Sequence, residues 1–143
     1  MSSSFETPQD TEDAFYDAFE AGDLGAMQAA WENSEDIACI HPVSPVLRGP
    51  AAVMDAWKQI FEAGAGMSIE VHHHHWIEQG ELAIHIVEER ISQSADPRRP
   101  PVSVLASNVY RLGTQGWLMV LHHASPPPPP PQPPMPEPPI NLQ

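Results

Sequence analysis

The chain has 143 residues, eighteen prolines and one cysteine, enough for a single domain with a real core and a proline-rich end. Six Lys and Arg against nineteen Asp and Glu give a net charge of −13, which argues against nucleic acid or anionic membrane as a main partner. One cysteine rules out an internal disulfide, and no apolar run approaches the roughly 20 residues of a membrane span.

Residues 1–8 read as disordered, and MSSSFETPQD lacks the basic and apolar regions of a secretion signal, so a cytoplasmic location is expected. Thr11-Glu12-Asp13 opens a first helix with acidic groups at its positive end. Phe15, Ala18 and Phe19 form its apolar face and Gly22 closes it. Asp23 caps a second helix, Leu24 to about Glu32, with Leu24, Met27 and Trp31 on its buried stripe. Ile37 to His41 is a short strand stopped by Pro42, with Cys39 as a small buried hydrophobe, and VSPVLRGP follows as a loop. A third helix begins near Pro50, presents Val53, Ala56, Trp57, Ile60 and Phe61, and ends at Gly64-Ala65-Gly66.

Met67 to Ile91 then reads as two long strands around a two-residue turn, Gln79-Gly80, with four consecutive histidines on the first. That turn pairs Glu78 with Glu81, Trp76 with Ala83, His74 with His85, His72 with Val87 and Glu70 with Glu89. Ile69, Val71, Leu82, Ile84 and Ile86 share the other face with His73 and His75. Ser92 to Pro101 is a loop. Val102 to Leu112 is a strand with Val104, Ala106, Asn108 and Tyr110 on one face. Trp117 to Ala124 is the last strand, with Trp117, Met119, Leu121 and His123 opposed to Leu118, Val120 and His122. A domain over residues 9–125 and a solvated polyproline tail over 126–143 follow. Helices first and long antiparallel strands after them predict an α+β domain.

FYDAFEAGDLGAMQAAWENSEDIACIHP, LRGPAAVMDAWKQIF and SNVYRLGTQGWLMVLHHASP, in this order over about residues 10–126, resemble the SnoaL-like branch of the nuclear transport factor 2-like superfamily. The resemblance implies a cone-shaped half-open barrel, three N-terminal helices on a curved, mostly antiparallel sheet. It also implies a ligand pocket in the open end and a homodimer formed through the sheet's outer surface. Isomerases, cyclases, dehydratases and non-enzymatic binders share this cone, so fold does not decide function. The ketosteroid isomerase pattern of an aspartate base with tyrosine and protonated-aspartate donors has no counterpart motif here.

Two sites are worth testing against a structure. His41 and His123 are the candidate catalytic acid–base groups. Trp57, Asn108, Tyr110, His85, Glu89 and Trp117 are the candidate lining of a largely apolar pocket for a small apolar or aromatic molecule. A cofactor-free isomerase, cyclase or hydratase and a non-catalytic ligand-binding or dimerising adaptor both fit. Same-side histidines of the run lie about 6–7 Å apart, at a rise of about 3.3 Å per residue. With His85 and Glu70 or Glu89 they could supply metal ligands, but no known metal motif is present, so neither metal nor cofactor is expected.

Overall fold

The computed structural model describes residues 4–64, 67–93, 98–127, 129 and 134. Three helices, α1 (Pro8–Ala21), α2 (Leu24–Ala30) and α3 (Gly49–Ala63), pack on a six-stranded sheet. Its strands are β1 (Ala38–Ile40), β2 (Leu47–Arg48), β3 (Ser68–Gln79), β4 (Leu82–Ser92), β5 (Val102–Gly113) and β6 (Gly116–Ser125), in spatial order β2-β1-β6-β5-β4-β3. All neighbours are antiparallel except β1 and β6. This is the expected α+β architecture. Most of the proline tail lies outside the described residues.

Local chemistry sets the helix ends. α1 starts earlier than Thr11: the Thr7 hydroxyl accepts from the Asp10 amide, the Asp10 carboxylate accepts from the Thr7 amide, and Pro8 needs no amide partner. Gly22 at φ 66° donates to the Ala18 and Phe19 carbonyls. Asp23 caps α2, which stops at Ala30 with Trp31 already extended. The expected loop before α3 contains β2, which pairs Leu47 with Cys39 and Arg48 with Ala38.

Phe15, fully buried, centres the core. Its ring lies 4.7 Å from Tyr16, 5.5 Å from Trp57 and 6.3 Å from Trp31, all at steep angles that set ring edges against faces. Removing such a ring costs about 3–5 kcal/mol.

Three register features differ from expectation. The hairpin turn is Gly80-Glu81, because Gln79 pairs with Leu82, and Gly80 supplies the positive φ of 61° at its first position. The correction places Trp76 opposite His85, not Ala83. A bulge then inserts His74 between His75, opposite Ile86, and His73, opposite Val87. A second bulge inserts Val120 into β6, since Tyr110 faces Met119 while Val109 faces Leu121. As a result His122, not His123, joins the face of Trp117 and Met119, and His123 is exposed.

The buried side of β4 is Ala83, His85, Val87 and Glu89. Its aliphatic stripe, Leu82, Ile84 and Ile86, faces outward, with Leu82 half exposed.

Gly116 sits at φ 91°, and a Cβ there would fall 2.6 Å from the Phe5 carbonyl oxygen, whereas a Cβ on Gly113 would meet nothing within 4 Å. Gly116→Ala therefore combines strain with a backbone clash and should cost about 1–3 kcal/mol. Gly113→Ala should stay within about 0.5 kcal/mol of the parent. Urea midpoints of the two variants check this.

Candidate functional site

Register alone aligns a polar row across the inner face: Trp76 opposite His85, His85 opposite Asn108, Asn108 opposite His122, and His122 opposite Cys39. α1 lies over this row and adds Glu12 and Tyr16, on the same helical stripe as Phe15 and Phe19. Two networks result, the first buried and the second open to solvent at His73.

The first runs in series. The Tyr16 hydroxyl donates to Glu89 Oε2 at 2.6 Å, Asn108 Nδ2 donates to the Tyr16 oxygen at 2.9 Å, and Asn108 Oδ1 lies 2.6 Å from His122 Nδ1. With the Tyr16 proton directed at Glu89, Asn108 must turn its amide toward Tyr16 and its carbonyl toward His122. His122 therefore carries its proton on Nδ1 and keeps Nε2 as the lone-pair nitrogen. Burial, with His41 and His123 nearby, pushes the His122 pKa down to about 3, so the ring is neutral at physiological pH. Burial also raises Glu89 to about 7, against the Tyr16 hydrogen bond that favours its charge. The Tyr16 hydroxyl is held well above its ordinary pKa by burial and by the adjacent Glu89.

At the His122 end the packing is aromatic. The His122 ring lies 5.0 Å from Phe15, 5.8 Å from Trp57 and 6.1 Å from His41, and His41 lies 4.7 Å from Trp57. Burial lowers the His41 pKa, and its Nε2 is 3.5 Å from Cys39 Sγ. The Cys39 thiol, pushed up to about 12 by burial and then by Glu89, stays protonated and unreactive. Trp57 Nε1, His85 Nε2 and the Tyr110 hydroxyl are buried and find no hydrogen-bond partner among the described residues. Buried polar atoms are nearly always paired, so such atoms mark where a ligand or water would be held.

The second network centres on Glu12. Its Oε1 is 3.1 Å from His85 Nδ1 and its Oε2 2.7 Å from His73 Nε2, while Gln9 donates to Oε2 at 2.6 Å. Burial alone would raise the Glu12 pKa, but hydrogen bonds and charge from His85 and His73 bring it below the usual value. Trp76 stacks on His85 at 3.6 Å between centroids.

The SnoaL-like domain profile matches residues 9–129. The chain belongs to the SnoaL-like domain family. It is similar to a Thiobacillus denitrificans structure provisionally described as a calcium/calmodulin-dependent protein kinase type II association domain, at 43% identity and TM-score 0.83 over 87% of this chain and 98% of that one. A Streptomyces avermitilis protein of the nuclear transport factor 2-like family, provisionally described as a dehydratase, matches at 27% identity and TM-score 0.72 over 81% and 90%. A Shewanella frigidimarina structure provisionally described as a ketosteroid isomerase shares the fold, at 14% identity and TM-score 0.65 over 80% and 91%. A comparison with curated proteins gives no match.

Within this SnoaL-like domain, Asn108 and Glu89 join the first network, Trp57 and His41 pack at its end, and His85 joins the second. Tyr110 is fully buried, its ring 4.9 Å from His85. Trp117 lies at the turn end of β6 beside Phe5, away from His122. His123 is turned outward by the Val120 bulge. The sequence reading missed Tyr16, Glu12 and His122, and offered His73 only as one of the run's possible metal ligands. A signal for the first two was present: Glu12, Phe15, Tyr16 and Phe19 fall at i, i+3, i+4 and i+7, which puts a carboxylate on an apolar face.

Because Glu89 binds its proton more tightly folded (about 7) than unfolded (4.5), ionising it opposes folding. Its contribution is full below pH 4.5 and is lost as pH rises through 7, by roughly 3 kcal/mol at about 1.4 kcal/mol per pH unit. Glu89→Gln should remove that slope and gain on the parent from pH 5 to 8, as measured by urea unfolding across pH.

Proposed function

We propose that this SnoaL-like domain binds a small, mostly apolar molecule bearing a hydroxyl or carbonyl group at the His122 end of the cone. There it performs cofactor-free proton transfer, as an isomerase, cyclase or dehydratase would. One observation carries the reading: Glu89, Tyr16, Asn108 and His122, drawn from four different elements, are all buried and hydrogen-bonded in series to an end packed with aromatic rings. A core built for stability alone gains nothing from four desolvated polar groups where hydrocarbon would pack. The neighbours described as a dehydratase and an isomerase support the same class.

The roles follow from the protonation states. His122 Nε2 accepts a hydrogen bond from a ligand hydroxyl or orients a carbonyl; at a pKa of about 3 the ring is a weak base. Glu89, near 7, is the group that changes charge at neutral pH, and it acts on the His122 end through the Tyr16 and Asn108 hydrogen bonds. The Tyr16 hydroxyl, kept protonated by burial, donates to Glu89 and holds that carboxylate in place, while the Tyr110 hydroxyl, also kept protonated and without a partner among the described residues, is the free donor. Trp57 and His41 form the apolar wall.

A panel of hydroxylated and carbonyl-bearing aromatic compounds, followed by calorimetry and product analysis, tests this. Turnover with an inflection near pH 7 that disappears in Glu89→Gln is expected, with a loss of about 10²–10⁴ in rate. Binding without chemical change would leave a carrier or sensor. Binding that His122→Ala and Trp57→Ala leave untouched would overturn the site.

A second reading, self-assembly, has its own observation. Ile77, Ile84, Val109 and Leu121 form one apolar row across the outer sheet face, flanked by exposed Leu82 and Leu105. The structure at 43% identity is described as an association domain. On this reading a second copy covers the row, and Ile77→Lys with Leu82→Glu lowers the mass seen in sedimentation to that of one chain. An unchanged mass would exclude this face as the interface.

A further inference from the structure

We propose that Glu12, His73 and His85 form a binding site for a divalent transition metal, open on the His73 side. Each residue offers one ligand atom, and the three atoms lie within 4.8 Å of one another. The contacts from the two Glu12 carboxylate oxygens to the two imidazoles, 2.7 and 3.1 Å, lie near the roughly 3.0–3.4 Å between neighbouring ligand atoms around an octahedral or tetrahedral ion bonded at about 2.1 Å.

Two borderline imidazoles with one hard carboxylate suit zinc, iron(II) or cobalt(II), whereas magnesium and calcium favour all-oxygen sets. The supporting contacts are those of a held site. Gln9 Nε2 donates to Glu12 Oε2 and orients the carboxylate, and Trp76 stacked on His85 fixes the ring. Glu12 and His85 are 2% and 0% exposed while the His73 side chain is 36% exposed, so an ion would be gripped from beneath and leave its remaining positions toward solvent. His74, the bulged residue, is what turns His73 inward, and His72 and His74 engage Glu70 and Glu88 instead. The neighbouring histidines thus stand outside the site, although they can bind metal adventitiously.

The full-length chain with His72, His74 and His75 changed to Ala removes that background. Calorimetry with Zn²⁺ and visible absorption with Co²⁺ should then show one ion per chain and the cobalt bands of a histidine–carboxylate site. Glu12→Gln, His85→Ala and His73→Ala, each in that background, should weaken binding at least tenfold. His73, being partly exposed, decides the matter should either buried variant fail to fold. Loss of all binding in the triple-Ala chain, or unchanged affinity in His73→Ala, overturns the proposal and leaves Glu12 as a buried carboxylate hydrogen-bonded to two imidazoles.

Discussion

Val120 has no partner on β5, and its insertion reverses which side of β6 faces the helices from Leu121 onward. Without it, His122 would point to solvent and Asn108 would lose its 2.6 Å contact. The bulge at His74 acts the same way at the far edge of the sheet, bringing His73 and Trp76 to one face although they are three residues apart, with ring centroids 5.3 Å from each other. Strand alternation has a period of two, so a single extra residue reassigns every side chain beyond it. Both networks thus depend on two insertions in the sheet's ladder, one in β3 and one in β6.

Each network also depends on α1. Glu12 and Tyr16, one turn apart, reach down from the helix to different rows of strands: Glu12 to His73 and His85, Tyr16 to Glu89 and Asn108. Two buried carboxyl groups therefore live in contrasting surroundings. Glu12 faces two imidazoles and an amide, which hold it ionised despite its burial. Glu89 faces only a tyrosine hydroxyl, too little to offset burial, and its pKa rises to about 7. Neighbouring acids driven apart in this way are what a site performing acid–base work requires, since one must keep its charge while the other exchanges protons.

The sequence made the frame legible. Helical stripes such as Phe15/Ala18 and Val53/Trp57, and the alternation of Val104, Ala106, Asn108 and Tyr110, are periodic signals that packing respected. What it could not show was phase. Nothing in HHHHW or LMVLHH marks which residue is unpaired, because a bulge is chosen by how the strand meets its neighbour and by the curvature the helices demand. Hence His123 stood in for His122, and His73 was grouped on one face with His75, from which the bulge parts it. The turn was misread by one residue for a related reason: QG and GE are both acceptable pairs, and only the cross-strand partners of the longer strands decide between them.

Apolar alternation was also a misleading guide to the inside of β4. Leu82, Ile84 and Ile86 are the more hydrophobic stripe, yet His85 and Glu89 are the residues under α1. A sheet that buries histidine and glutamate while presenting isoleucine and leucine outward gives up hydrophobic stabilisation on one face, at about 25 cal/mol for each Å² left in water. The exchange is what the two proposed readings account for, a polar face that holds chemistry and an apolar face that a second copy covers. The same inversion in one strand therefore supports both a working interior and an association surface.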